Sequence, residues 1–370
     1  MLKILKYEVY AIFLMHVLFS CHSPVDSVKN PREINKASVL KKTYINPVFE
    51  PILADPSVVR DPNTKDFYAY GTADNWGDGK GQRLVSILHS KNLVDWTWIG
   101  TAFQQKPTWK PEGGIWAPDV VRLNNKYVLY YAFSTWGDPN PGIGVATADQ
   151  AAGPFVDHGK VFDSHQINVP NSIDPFFFRE KGANYLFWGS FSDASTQGTY
   201  GTLLTGDGLQ VLDMHKKFKV AAGDFEAVVI HKRKDFYYFF GSKGSCCEGA
   251  KSTYHILVGR AKQLQGPYYD REGHDLTNRG SGTLLLKGNT KFVGTGHNSR
   301  IMTDDHGDDW LLYHGIDPKQ DRVPTGGNRR VLLLDKIAWV DDWPLVEKNT
   351  SSINAKSAPF FNTIALSSRK

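Results

Sequence analysis

The sequence predicts an all-β protein, a five-bladed β-propeller forming a single domain, on three observations. A pattern of acid, apolar run, polar turn and aromatic run recurs along most of the 370 residues; its period suits a four-stranded blade; and aromatic residues reach 13%. The clearest copy is Asn171 to Ser190, N-S-I-D-P-F-F-F-R-E-K-G-A-N-Y-L-F-W-G-S. Asp174 opens an apolar run, a charged Gly-containing turn follows at Arg179 to Gly182, and an aromatic run ends at Gly189-Ser190. That order predicts a hairpin with a carboxylate at the mouth of its first strand.

Taken along the chain, Asp55 heads the first copy, Asp119 the second, Asp174 the third, Glu226 the fourth and His297 the fifth. The heads are 64, 55, 52 and 71 residues apart (119−55, 174−119, 226−174, 297−226), near the ~40–50 residues of a propeller blade with room for long loops. In a propeller the same strand of every blade lines the central channel. Asp55, Asp119, Asp174, Glu226 and His297 are therefore expected to ring one end of it. The aromatic content suits strand interiors and also suits stacking against the C–H faces of sugars.

With 41% hydrophobic and 22% charged residues the chain can bury a sizeable core and lies outside the disordered class. The net charge of +5 comes with no basic block longer than His231 to Lys234, so no nucleic-acid footprint is expected. At the N-terminus Lys3 and Lys6 precede a mostly apolar run, Val9 to Phe19, and then Ser20-Cys21. The run is too short to span a bilayer and reads as an export signal. Leu18-Phe19-Ser20-Cys21 resembles a bacterial lipobox, in which the Cys is lipidated; ordinary cleavage with an incidental thiol is the alternative. The expected organisation is a lipoprotein-type signal at 1–20, a polar tether at 21–45, the propeller at 46–350 and a closing strand and tail at 351–370. Cys246 and Cys247 are adjacent, so they either close a small ring with each other or remain reduced. Zinc is not expected, because no second Cys/His pair stands at ligand spacing.

Five motifs occur in a fixed order: A-D-P-S-V-V (Ala54 to Val59), W-A-P-D (Trp116 to Asp119), N-S-I-D-P (Asn171 to Pro175), F-E-A (Phe225 to Ala227) and G-T-G-H-N-S-R (Gly294 to Arg300). Together they resemble glycoside hydrolase family 43, the five-bladed propeller glycosidases, over nearly the whole chain beyond the signal. C-C-E-G at Cys246 to Gly249, S-T-Y-H-I-L-V-G-R at Ser252 to Arg260, G-P-Y-Y-D at Gly266 to Asp270 and D-D-W-P at Asp341 to Pro344 look most like the arabinan-degrading members. Ala54, Val228 and Thr295 depart from the pattern of endo-acting arabinanases, which leaves endo or exo action open.

The resemblance implies an inverting hydrolase of α-1,5-linked L-arabinofuranosyl bonds, with an exo-acting arabinofuranosidase or β-xylosidase as the nearest alternative. By it Asp55 is the general base, Glu226 the general acid and Asp174 the carboxylate that tunes and orients the acid. Clustered acids cannot all ionise freely, which agrees with such roles. Asp119 is expected to be structural, bonded to loops near Trp116. Trp116, Asn171, Phe133, Phe191 and Arg300 are the expected substrate contacts. His297 is expected to help hold a Ca²⁺ on the propeller axis, coordinated mostly by water; no organic cofactor is expected. The implied partner is plant cell-wall polysaccharide, the arabinan side chains of pectin. The protein is expected to be an exported monomer, either lipid-anchored at a bacterial membrane facing the periplasm or the cell surface, and meeting the membrane only through that anchor, or free in the periplasm. A fructan-cleaving, retaining propeller would carry a W-M-N-D-P-N-like first motif, and a sugar-binding propeller without activity would tolerate loss of the carboxylates. The loops Ala73 to Arg83, Ser134 to Pro141 and Ser192 to Thr199 decide whether the site is a cleft or a pocket.

Overall fold

Each predicted repeat folds into its own antiparallel sheet, with strands joined in sequence order. In the computed structural model, which describes residues 42–189, 191 and 197–362, the first sheet comprises Ser57–Arg60, Phe67–Gly71, Ser86–Ser90 and Trp96–Thr101. The second comprises Gly114–Leu123, Lys126–Ser134, Gly142–Ala148 and Val156–Asp163. The third comprises Phe176–Glu180, Ala183–Gly189, Gly198–Leu204 and Lys217–Ala222, and the fourth Glu226–Arg233, Phe236–Lys243, His255–Ala261 and Thr283–Leu286. In the fifth, Val293–Gly296, Asp309–Ile316, Arg330–Val340 and Trp343–Leu345 pair in that order, and Met302–Thr303 adds to the Asp309–Ile316 edge. These are the five blades. The described residues all lie within one unit running from 40 to 370.

The aromatic run of each repeat is the second strand of its blade. Lys126–Ser134 is buried at every position after Lys126, and Phe236–Lys243 is buried except at its two ends. Such a strand is covered on both faces, so it reads as continuous apolar sequence rather than alternation. The predicted hairpin at Asp174 is present, with Phe176–Glu180 paired to Ala183–Gly189 around Lys181 and Gly182, whose φ angles are 50° and 83°. Two left-handed residues in a two-residue loop twist the chain in the sense of the flanking strands.

The backbone places the repeat heads more tightly than the sequence pattern does. Asp55, Ala117, Asp174, Ala227 and His297 all adopt left-handed backbone, with φ of 53°, 42°, 54°, 56° and 51°, a conformation costly for side chains other than Gly. They are 62, 57, 53 and 70 residues apart (117−55, 174−117, 227−174, 297−227). Their successors Pro56, Pro118, Pro175, Val228 and Asn298 together line a small axial cavity of about 20 Å³. The structural repeat therefore begins at Ala117 and Ala227 in the second and fourth blades. Asp119 lies two residues beyond that position and Glu226 one residue before it.

The N-terminal segment closes the ring against the fifth blade. The Val48 and Leu53 amides donate to the carbonyls of Leu332 and Arg330, each at 2.9 Å, and Asn46 exchanges bonds with the Leu334 backbone at 3.0 and 2.9 Å. Thr43–Tyr44 pairs with Lys356–Ser357, so folded chain already begins inside the segment read as a tether. The lipobox-like stretch and Cys21 lie outside the described residues.

Candidate active site

The left-handed turns deliver Asp55 and Asp174 directly, and Glu226 from the adjacent residue, into one cavity of about 640 Å³ at the head of the inner strands. Each carboxylate meets a different set of partners. Arg330 from the fifth blade donates from Nη1 to both oxygens of Asp55, at 2.8 and 3.0 Å, and the Thr72 hydroxyl donates to Oδ2 at 2.6 Å. His297 and His314 each bring Nδ1 to 3.3 Å from Oδ1 of Asp55. Burial opposes charge on Asp55, but Arg330 first, then His297 and the Thr72 hydroxyl, outweigh it and hold the carboxyl well below its usual range. The Asp55 amide also donates to His314 Nδ1 at 3.1 Å, which fixes the unusual backbone at this residue and makes Nδ1 an acceptor.

Glu226 lacks such a cation. Burial pushes it up to about 7, aided by the charge of Asp55 and opposed by a bond from the Tyr254 hydroxyl and by Arg330. Gly296 makes that bond feasible: a Cβ there would lie 2.1 Å from the Tyr254 ring. Asp174 accepts from the amide of Ala227 at 3.0 Å, so it anchors the backbone directly after Glu226. Burial first, and then the charges of Glu226 and Asp55, raise Asp174 well above its ordinary value. The cavity thus holds one carboxyl held down and two pushed up, the pattern that separates base from acid.

His297 stands between the two ends of the site. Besides its contact with Asp55, its amide donates to the Ser242 hydroxyl at 2.9 Å, and Ser242 is the cross-strand partner of Glu226. Burial lowers its pKa. No group of three or more His, Cys, Asp or Glu able to hold a metal occurs among the described residues. A Ca²⁺ prefers six to eight oxygen ligands, so the protein atoms around His297 do not by themselves make a calcium shell.

Trp116, Asn171 and Phe191 line the cavity as expected. The Asn171 amide donates to the Phe191 carbonyl at 3.2 Å, and Trp116 packs at 5.6 Å from Trp136, a loop indole that is 81% exposed. Two expected contacts fall elsewhere. Phe133 is 1% exposed and packs with Trp109 and Tyr131 in the core, because its strand is covered on both faces. Arg300 lines the axial cavity instead, and its guanidinium is spent on both oxygens of Asp119, at 3.1 and 2.9 Å, and on the Phe177 carbonyl. Asp119 is structural, as expected, though not through loops near Trp116: it also accepts from the Ser57 hydroxyl at 3.1 Å and the Phe177 amide at 2.7 Å, tying four blades together.

Arg330, His314, Thr72 and Asp74 escaped the sequence reading. Asp74 lines the cavity with one oxygen buried and unbonded, 3.9 Å from Arg330, and burial pushes it up to about 6. Arg330 sits in an ordinary-looking G-G-N-R-R run, with no periodic signal to distinguish it.

The family model of Glycosyl hydrolases family 43 matches residues 44–344. An extracellular exo-α-(1→5)-L-arabinofuranosidase of Cellvibrio japonicus is 33% identical over 320 residues, covering 80% of this chain and 86% of that one. An extracellular endo-α-(1→5)-L-arabinanase of Bacillus subtilis is 29% identical over 314 residues, covering 79% and 87%. Among solved structures, a Cellvibrio cellulosa α-L-arabinanase complexed with arabinohexaose superposes with a TM-score of 0.68 at 30% identity, covering 81% of this chain and 97% of that one. A propeller whose repeat heads deliver three carboxylates into one cavity, matched from its first paired strand to its last blade, places the chain in glycosyl hydrolases family 43.

Proposed function

We propose that the protein hydrolyses α-1,5-linked L-arabinofuranosyl bonds in arabinan or its oligosaccharides, in one step with inversion. The observation that carries this reading is a single cavity lined both by Asp55, whose two oxygens are held by Arg330, and by Glu226, which has the Tyr254 hydroxyl as its partner instead. The relatives named as arabinanases and arabinofuranosidases support the substrate, and the relatives named as extracellular support export. Lipid anchoring through Cys21 remains the proposed form of that export.

In this mechanism Glu226, protonated, gives its proton to the glycosidic oxygen as the bond breaks, while ionised Asp55 takes a proton from water attacking the opposite face of the sugar. Asp55 and Glu226 belong to the first and fourth blades, with His297 of the fifth between them. This separation supports a water between base and sugar, for which inverting pairs stand ~6.5–9.5 Å apart. Asp174 holds the backbone beside Glu226, and its role as the carboxylate that orients and tunes the acid is part of the proposal. Trp116 with Trp136 offers an aromatic face to the sugar. A Ca²⁺ beside His297, taking most of its ligands from water, is a further part of the proposal; elemental analysis after exhaustive chelation tests it, and full thermal stability with no metal found would remove it.

Proton NMR of the first-formed sugar tests the mechanism: the anomer opposite in configuration to the substrate is expected, and the retained anomer would overturn inversion. Chromatography of early products from linear α-1,5-arabinan separates endo action, which gives a ladder of oligosaccharides, from exo action, which gives arabinose. Arabinan left intact alongside cleaved xylan-derived substrates would move the protein to the xylosidase alternative.

A further inference from the structure

Cys246 and Cys247 are bonded to each other, and both line the cavity that holds the three carboxylates. A disulfide stabilises a fold mainly by closing a loop of the unfolded chain. One between neighbours in sequence closes no such loop, so stapling does not explain it. The segment around it is already held by other means. Asn328 donates to the Cys247 carbonyl at 3.0 Å and accepts from the Gly249 amide at 2.8 Å. Glu248 donates from its amide to Ser252 Oγ at 2.9 Å, Ala250 donates to Asp321 Oδ2 at 2.9 Å, and the Thr253 and Tyr254 amides both donate to the Ser245 carbonyl at 3.0 Å. With the backbone occupied in this way, the pair contributes sulfur and methylene to the cavity wall, an apolar and polarisable surface. It stands on the loop that leads to Tyr254, the partner of Glu226, and on a different, non-adjacent blade from Trp116 and Trp136.

We propose that the Cys246–Cys247 ring is a substrate-contacting, specificity-determining surface, packing against the apolar C–H face of an arabinofuranosyl unit while the indoles of the second blade serve another part of the sugar chain. This inference rests on the arabinan-cleaving reading above.

Two measurements test it. In the first, the double variant C246A/C247A is compared with the parent on α-1,5-arabinotriose. Loss of the ring raises KM about fivefold, which at 1.4 kcal/mol per factor of ten is about 1 kcal/mol, with kcat changed less than twofold. In the second, which needs no change at the ring, Glu226→Gln protein with its disulfide intact is treated with a phosphine reductant, with and without saturating arabinotriose. Alkylation and mass spectrometry then follow the rate of reduction. Bound sugar covering the ring slows that rate several-fold. A double variant that loses thermal stability at unchanged KM, or a reduction rate indifferent to sugar that is shown to be bound, overturns the inference and leaves the ring a local clamp. Parent protein that neither cleaves nor binds arabino-oligosaccharides overturns the arabinan reading first and this inference with it.

Discussion

Replacing Glu226 by Gln should stabilise the protein at alkaline pH while removing its activity. Glu226 is partly buried in the cavity wall and raised from 4.5 to about 7, first by desolvation and then by the charge of Asp55. Between those values the folded protein binds a proton that the unfolded chain has lost. The group therefore contributes stability that is fully present below about pH 4.5 and lost as pH rises to about 7. At about 1.4 kcal/mol per pH unit, the displacement from 4.5 to about 7 is worth roughly 3 kcal/mol. Asp174 is raised as well, in part by Glu226, so the two carboxyls lose their protons in steps that belong to the pair. Gln keeps the shape and a partner for the Tyr254 hydroxyl but cannot ionise. Its advantage over the parent should grow from about 1 kcal/mol at pH 5 to about 3 kcal/mol at pH 8, where it amounts to a rise in Tm of about 5 °C. Differential scanning calorimetry at pH 5, 6, 7 and 8 measures it. A difference that is constant across that range, or a variant less stable at pH 8, would refute the placement of a strained, protonated acid at this position.

Activity should change in step with these charges and contacts. In the parent enzyme kcat/KM should fall as pH rises through about 7, where Glu226 loses the proton it donates; a pH–rate profile flat to pH 9 would contradict that role. Asp55→Ala should lose at least ~10³-fold in kcat on every substrate, and it should also lower stability by about 1–3 kcal/mol, because it leaves Arg330 with Asp74 at 3.9 Å in place of its two bonds to Asp55; azide should not restore activity with retention. Asp119→Ala should cost about 3–5 kcal/mol by urea unfolding, since Ser57, Phe177 and Arg300 all lose their acceptor, while KM of the fraction that stays folded changes little. Phe133→Ala should cost about 3–5 kcal/mol as a core cavity, with KM unaffected at a permissive temperature, in contrast to Trp116→Ala, which should raise KM with a small effect on stability.

By itself the sequence determined the parts that depend on local order. Second strands covered on both faces must be continuously apolar, so runs such as Tyr127 to Phe133 and Tyr237 to Phe240 announced themselves, and five of them at blade-like spacing fixed the ring. Asp55, Asp174 and Glu226 were legible because they stand at or beside the turns that open those repeats. The tertiary structure decided everything that depends on which blades meet. The left-handed backbone moved the repeat heads to Ala117 and Ala227 and showed Asp119 to be a tie between blades. Phe133 went inward because neighbouring blades cover both faces of its strand, and alternation cannot be read where no face is wet. Arg330 is separated from Asp55 by 275 residues and His314 by 259. They became its partners only because the N-terminal segment closes the ring against the fifth blade. The lowered pKa of Asp55 follows from that closure and the raised one of Glu226 from its burial, since a carboxyl's proton is governed by neighbours in space rather than in sequence.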